Sequence, residues 1–197
     1  MLAETKTKGN VRLIPMTPAT SFQMRSGAGT APERALAYNL MKECRICGTY
    51  AEELSLLMRT YFIETSDSWN WYVGWQRSRI DLLEDRKMYL KEMKRLVVET
   101  FSEELIAEIK SACRKIRKNY SKVEKTAKLD GIISWQQQKD LINRIRYCFA
   151  QISLGMLNPD LVIMDEFQRF KDLIEIDEND YSDSAMLSKK FLKDNTD

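Results

Sequence analysis

Residues 158–175 read NPDLVIMDEFQRFKDLIE, and the fold class turns on how this stretch is understood. A turn at Asn158-Pro159 gives way to four consecutive apolar residues, Leu161, Val162, Ile163 and Met164. An unbroken apolar run of that length suits a strand covered on both faces, as in a parallel α/β sheet. Two carboxylates, Asp165 and Glu166, come directly after it. In such sheets ligands bind beyond the carboxyl ends of the strands, which is where this pair falls. As two residues alone, the acids equally suit the first turn of a helix, where the dipole favours negative charge.

The whole chain has 197 residues, enough for one domain with a sizeable core. Apolar residues make up 44% and charged residues 30%, as in ordinary globular proteins. The net charge is +2, so bulk charge announces no nucleic-acid partner. The charge is segregated, however. Lys110, Arg114, Lys115, Arg117, Lys118, Lys122, Lys125 and Lys128 cluster against Glu124 alone, whereas acids dominate from Asp172 to Asp183. Such a basic stretch either tracks phosphates or forms a solvated helix face. No apolar run approaches the roughly 20 residues of a membrane span, so no membrane partner is expected. A polar, basic N-terminus and four irregularly spaced cysteines point to a reducing, cytoplasmic setting. Histidine is absent, which removes Ser-His and Cys-His nucleophilic machinery and His-containing metal sites.

Working back from 158, periodicity predicts mostly helix. Ser134 caps a helix to about Met156, with Leu141, Ile145, Cys148 and Ile152 inward, after a turn at 129–134. Ser102 caps another, with Leu105, Ile109, Cys113, Ile116 and Tyr120 as its apolar stripe. A helix is expected from near Ser78 to about Val98. Residues 66–78, SDSWNWYVGWQRS, break the pattern and hold three of the four tryptophans. These rings either stack bases or anchor a loop onto the core. Leu54, Leu57, Met58 and Tyr61 mark a helix over about 50–63. Thr30 and Glu33 form a capping box, with Pro32 in the first turn of a helix that presents Leu36, Leu40, Cys44 and Cys47 and stops near Gly48. Cys44 and Cys47 share a helix face and are read as buried small residues, since zinc needs four ligands. VRLIPMTPATSF (11–22) reads as a short strand ending in a loop. The order is strand, helices, strand: an α/β fold, mainly helical.

In this order the chain resembles superfamily 2 helicase-like ATPases of bacteria. DEFQ (165–168) is similar to the Asp-Glu-x-Gln form of their Walker B box, and TPATSF (17–22) to the loop that touches the nucleic-acid backbone; GAGTAPERAL (27–36) fits the family's segment just after that loop. The resemblance implies an incomplete RecA-like (P-loop NTPase) lobe. Residues 1–30 would give its strand and TPATSF loop, 31–157 a helical insertion, 158–176 the Walker B strand and the start of a helix, and 177–197 an acidic loop and terminal helix. It implies that Asp165 organises Mg2+ through water, that Glu166 is the catalytic base toward ATP, and that Gln168 couples nucleotide state to nucleic acid. Thr17, Thr20 and Ser21 would donate hydroxyls to phosphates.

The departures matter equally. No G-x-x-x-x-G-K-[ST] occurs, and Gly27-Ala28-Gly29-Thr30 has no lysine to cradle phosphates. The chain begins past the Walker A loop and ends before a Ser-Ala-Thr motif, so alone it is expected to be inactive. Mg2+ and ATP are expected only in a complete motor. The expected partners are nucleic acid, with DNA favoured over RNA, and the remaining helicase lobes or a partner subunit. The rival reading is a non-catalytic helical protein-interaction module.

Overall fold

The computed structural model describes residues 27–59, 65–126, 129, 131–157 and 186–187. Over these the chain is mainly helical, and no strand occurs among the described residues. The strands expected within 11–22 and at 161–164 lie outside the described residues. So do the acidic tract and, apart from helical Met186 and Leu187, the terminal helix expected at 184–193. The helices are α1 (Ala31–Glu43), α2 (Ala51–Arg59), α3 (Ser66–Asp81), α4 (Arg86–Thr100), α5 (Glu103–Lys118), α6 (Tyr120–Thr126) and α7 (Trp135–Leu157).

Helix α1 is the centre of the bundle and packs against α2, α3 and α7. Arg34, Ala35, Ala37, Tyr38, Asn39, Leu40 and Met41 are all buried, so its circumference is covered nearly all round. A helix in that position carries no single apolar stripe. The expected Leu36–Leu40–Cys44–Cys47 face is therefore incomplete: Leu36 and Cys44 are only half-buried, and Cys47 lies in the following turn.

The helix stops at Glu43, short of Gly48. The backbone N–H of Ile46 donates to the Met41 carbonyl at 3.1 Å, and that of Arg45 to Lys42 at 3.1 Å. This pair of bonds is the Schellman closure, with buried Ile46 and Met41 as the apolar contact that accompanies it. Arg45 occupies the left-handed position (φ 56°), where glycine is usual. A side chain there costs about 1 kcal/mol or more. Arg45→Gly is expected to raise stability by about 0.5–1 kcal/mol, read as a higher urea midpoint at unchanged slope.

Helix α3 corrects the reading of 66–78. The helix runs unbroken from Ser66 through the tryptophans, and the break falls at 82–85. Thr65 caps it, its hydroxyl accepting from the Ser68 N–H at 3.2 Å. Trp69, Gln76 and Ile80 are buried at helical spacing and face α1. The pattern looked broken because aromatic residues lie on both sides of the helix. Gly74 does not end it, since one glycine in a helix interior costs only about 1 kcal/mol.

Helix α7 follows expectation closely, and α5 does so as far as Lys118; Tyr120, expected on its stripe, is half-buried in α6 instead. The Ser102 hydroxyl accepts from the Leu105 N–H at 3.1 Å, and Leu105, Ile109, Cys113 and Ile116 are buried. Ser134 and Gln137 form a reciprocal box, the Ser134 hydroxyl accepting from the Gln137 N–H at 3.2 Å and the Gln137 side chain from the Ser134 N–H at 3.3 Å. Asn119 ends α5 with a side-chain bond to the Lys115 carbonyl at 2.9 Å, and α6 begins at the next residue. Helix α5 packs on α2 and α7, and α4 on α7, where Phe101 and Phe149 meet edge to face at 5.3 Å. Met41, Leu54, Leu57, Met58, Ile109, Ile116, Ile142 and Ile145 form the fully buried centre. Each contributes about 1.5–3 kcal/mol through burial.

Candidate functional site

The expected catalytic and coupling residues Asp165, Glu166 and Gln168, and the expected phosphate contacts Thr17, Thr20 and Ser21, lie outside the described residues. The structure presents the helical body between them.

The glycine loop that precedes α1 is turned toward donors. Arg34 donates to the Gly29 carbonyl at 2.7 Å, and Arg146 to the Gly27 carbonyl at 3.2 Å. The Arg146 guanidinium also meets Glu33 at 3.1 Å and Asn143 at 3.0 Å. Gly29 has φ +76°, and a Cβ there would collide with the Arg146 guanidinium and the Glu33 carboxylate. The loop's carbonyls and its free volume are thus taken by arginine side chains from α1 and α7. Nothing in this arrangement turns a set of amides toward a phosphate.

The C-terminus of α2 is closed by side chains from two other helices. Arg34 of α1 donates from Nε to the Met58 carbonyl at 2.9 Å, and Gln138 of α7 donates to the Leu57 carbonyl at 2.6 Å. These carbonyls belong to the last described turn of α2, and both accept from side chains of neighbouring helices. Burial, aided by the nearby Arg146 charge, lowers the Arg34 pKa to about 10, so the group stays charged at neutral pH. A cation at that end also suits the helix dipole.

Helix α5 is tied to the start of α2 by Arg117. Its guanidinium meets Glu53 at 2.6 and 3.1 Å, donates to the Thr49 carbonyl at 2.6 Å and lies 4.3 Å above the Tyr50 ring. The Glu53 side chain is 5% exposed. The hydrogen bonds from Arg117 hold its carboxyl below the usual glutamate range. The depressed folded-state pKa makes this pair stabilising above the unfolded pKa near 4.3, and the contribution is lost as pH falls through the folded value. Glu53→Gln is therefore expected to flatten the stability–pH curve below about pH 4, measured by urea denaturation over a pH series.

The four cysteines are free thiols. Cys47, Cys113 and Cys148 are buried, and Cys113 of α5 lies against Cys47 in the turn between α1 and α2. The two neighbouring thiols perturb each other, which holds the Cys47 pKa below and the Cys113 pKa above the usual thiol value. Burial pushes Cys44 and Cys148 up to about 11, so both stay protonated at neutral pH. Among the described residues no three metal-ligating side chains come together.

The tryptophan cluster divides. Trp69 is 1% exposed and donates from its indole to the Ser55 hydroxyl at 2.8 Å. Trp71 and Trp75 are 62% and 41% exposed. Their rings stack at 5.8 Å with 9° between planes, and Arg79 lies 5.2 Å over Trp75. A shallow groove of about 290 Å3 separates α5 from α7, with Glu108, Lys115, Asp140 and Arg144 in its walls. Glu108 and Arg144 already pair there at 2.6 Å.

Sequence reading missed the α2 clamp and the Arg117–Glu53 pair. The one signal available for the clamp was a charged residue, Arg34, set among apolar neighbours that fit no single face. No described helix is long and apolar enough to cross a membrane. A scan against protein-family models and searches of curated proteins and of solved structures find no match to this chain.

Proposed function

We propose that this chain is part of the motor domain of a superfamily 2 helicase-like ATPase and that its helical bundle is an insertion in that motor. The complete motor couples ATP hydrolysis to nucleic-acid remodelling; this chain, without a Walker A loop, is inactive alone. The observation that carries the reading is PDLVIMDEFQRF (159–170) placed after TPATSF (17–22) in the family's order. The bundle supports it in one respect. The glycine loop before α1 is filled by arginine side chains, in keeping with a reading that puts no phosphate cradle in this segment. In this reading Asp165 organises Mg2+, Glu166 takes the proton of the attacking water, and Gln168 senses the nucleic acid. In the complete motor Glu166→Gln is expected to lower turnover by about a hundredfold or more, while nucleotide binding is kept. Turnover at the parent rate would remove Glu166 as the base.

A second reading, a helical protein-interaction module without catalysis, is favoured by the exposed Trp71–Trp75 stack with Arg79 beside it. Tryptophan and arginine dominate the energetics of protein interfaces. The readings separate when the chain is mixed with the remaining motor lobes and nucleic acid. ATPase activity above that of the lobes alone supports the motor, and none supports the module.

A further inference from the structure

We propose that the outward face of α5 grips the phosphate backbone of a nucleic acid through a row formed by Lys110, Arg114 and Lys118. The three residues are spaced by four, so each step advances about 6 Å along the axis and they share one side of the helix. All three are exposed. None is ion-paired among the described residues, although other arginines nearby are: Arg117 with Glu53, Arg144 with Glu108 and Arg146 with Glu33. The helix dipole favours cations in the last turn only, which accounts for Lys118 but not for Lys110 and Arg114. Solubility asks for interspersed signs, as on α4, where Arg95 pairs with Glu92 and Glu99.

The opposite side of α5, through Leu105, Ile109, Cys113 and Ile116, is locked into the core. The row is therefore held in place before any ligand arrives. A line of cations on a convex helix has no pocket to enclose a small anion, but it matches a linear polyanion. A membrane surface asks for an apolar face next to the cations, and the apolar side of α5 is already buried. The choice of nucleic acid among polyanions rests on the motor reading above; the row itself does not.

The test uses the full chain and a labelled 20-nucleotide single strand, with anisotropy monitored across a salt series. Each cation contacting a phosphate of a single strand adds about 0.7 to the salt slope. The variant Lys110→Gln/Arg114→Gln/Lys118→Gln is expected to lose about 2 from that slope, so that between 0.05 and 0.2 M salt the parent's affinity falls roughly twentyfold more than the variant's. The control Lys87→Gln/Lys91→Gln/Lys94→Gln, which removes three exposed cations from α4, is expected to leave most of the slope. A circular-dichroism melt establishes that each variant folds. Absence of salt-sensitive binding by the parent, or equal losses in both variants, overturns the proposal. Tighter binding of a polyglutamate peptide than of the oligonucleotide also overturns it, in favour of an acidic protein partner. Motor chemistry is read separately, because Glu166→Gln changes turnover in the complete motor and leaves this slope of the chain alone unaltered.

Discussion

Replacing Arg34 with methionine is expected to lower folding stability by about 3–5 kcal/mol, measured by urea denaturation at neutral pH. Methionine fills much of the volume but donates no hydrogen bond. The Met58 carbonyl, now bonded at 2.9 Å, would lose that donor in a buried setting, and the Gly29 carbonyl, bonded at 2.7 Å, in a part-buried one. Each such loss costs about 1–3 kcal/mol. The loss is a large share of the whole, since domains of this size are stable by only about 5–15 kcal/mol. Arg34→Lys keeps the charge but not the fork, so a single ammonium reaches one carbonyl well and the other poorly. An intermediate loss is the expected result. Equal stability of Arg34→Met and the parent would show that the clamp at the end of α2 carries no energy.

The second large effect separates neighbouring tryptophans. Trp69→Ala is expected to cost about 3–5 kcal/mol, because the ring is enclosed between α1, α2 and α3 and the cavity cannot fully collapse. It removes the indole bond to Ser55 and the tilted contact with Tyr38 at 6.0 Å. Trp71→Ala, two residues on, is expected to cost no more than about 1 kcal/mol, the worth of one exposed ring stack. Thermal melts of the two variants side by side provide the measurement. Similar losses would mean that the exposed pair is part of the fold's support and not a free surface.

Arg34 and Trp69 also mark where local pattern stops being informative. The caps at Ser102 and Ser134 and the stripes Leu105–Ile109–Cys113–Ile116 and Leu141–Ile145–Cys148–Ile152 were legible, because a cap and a 3.6-residue period are written within a few neighbouring residues. The run 66–78 was misread because its aromatics occupy both faces of one helix. Only packing against α1 distinguishes Trp69 from Trp71. The carbonyl clamp was invisible for another reason. Its donors lie 24 and 81 positions from their acceptors, and no short pattern links Arg34 or Gln138 to the end of α2.

Composition and period by themselves determined that this chain is mainly helical, where several helices begin, and that two acids come after an apolar run at 161–164. Tertiary structure alone decided which helix sits at the centre, which tryptophans are covered and, among the described residues, which arginines form ion pairs. The physical reason is range. Helix formation is governed by bonds four residues long, whereas burial and charge pairing are governed by whatever the folded chain brings alongside.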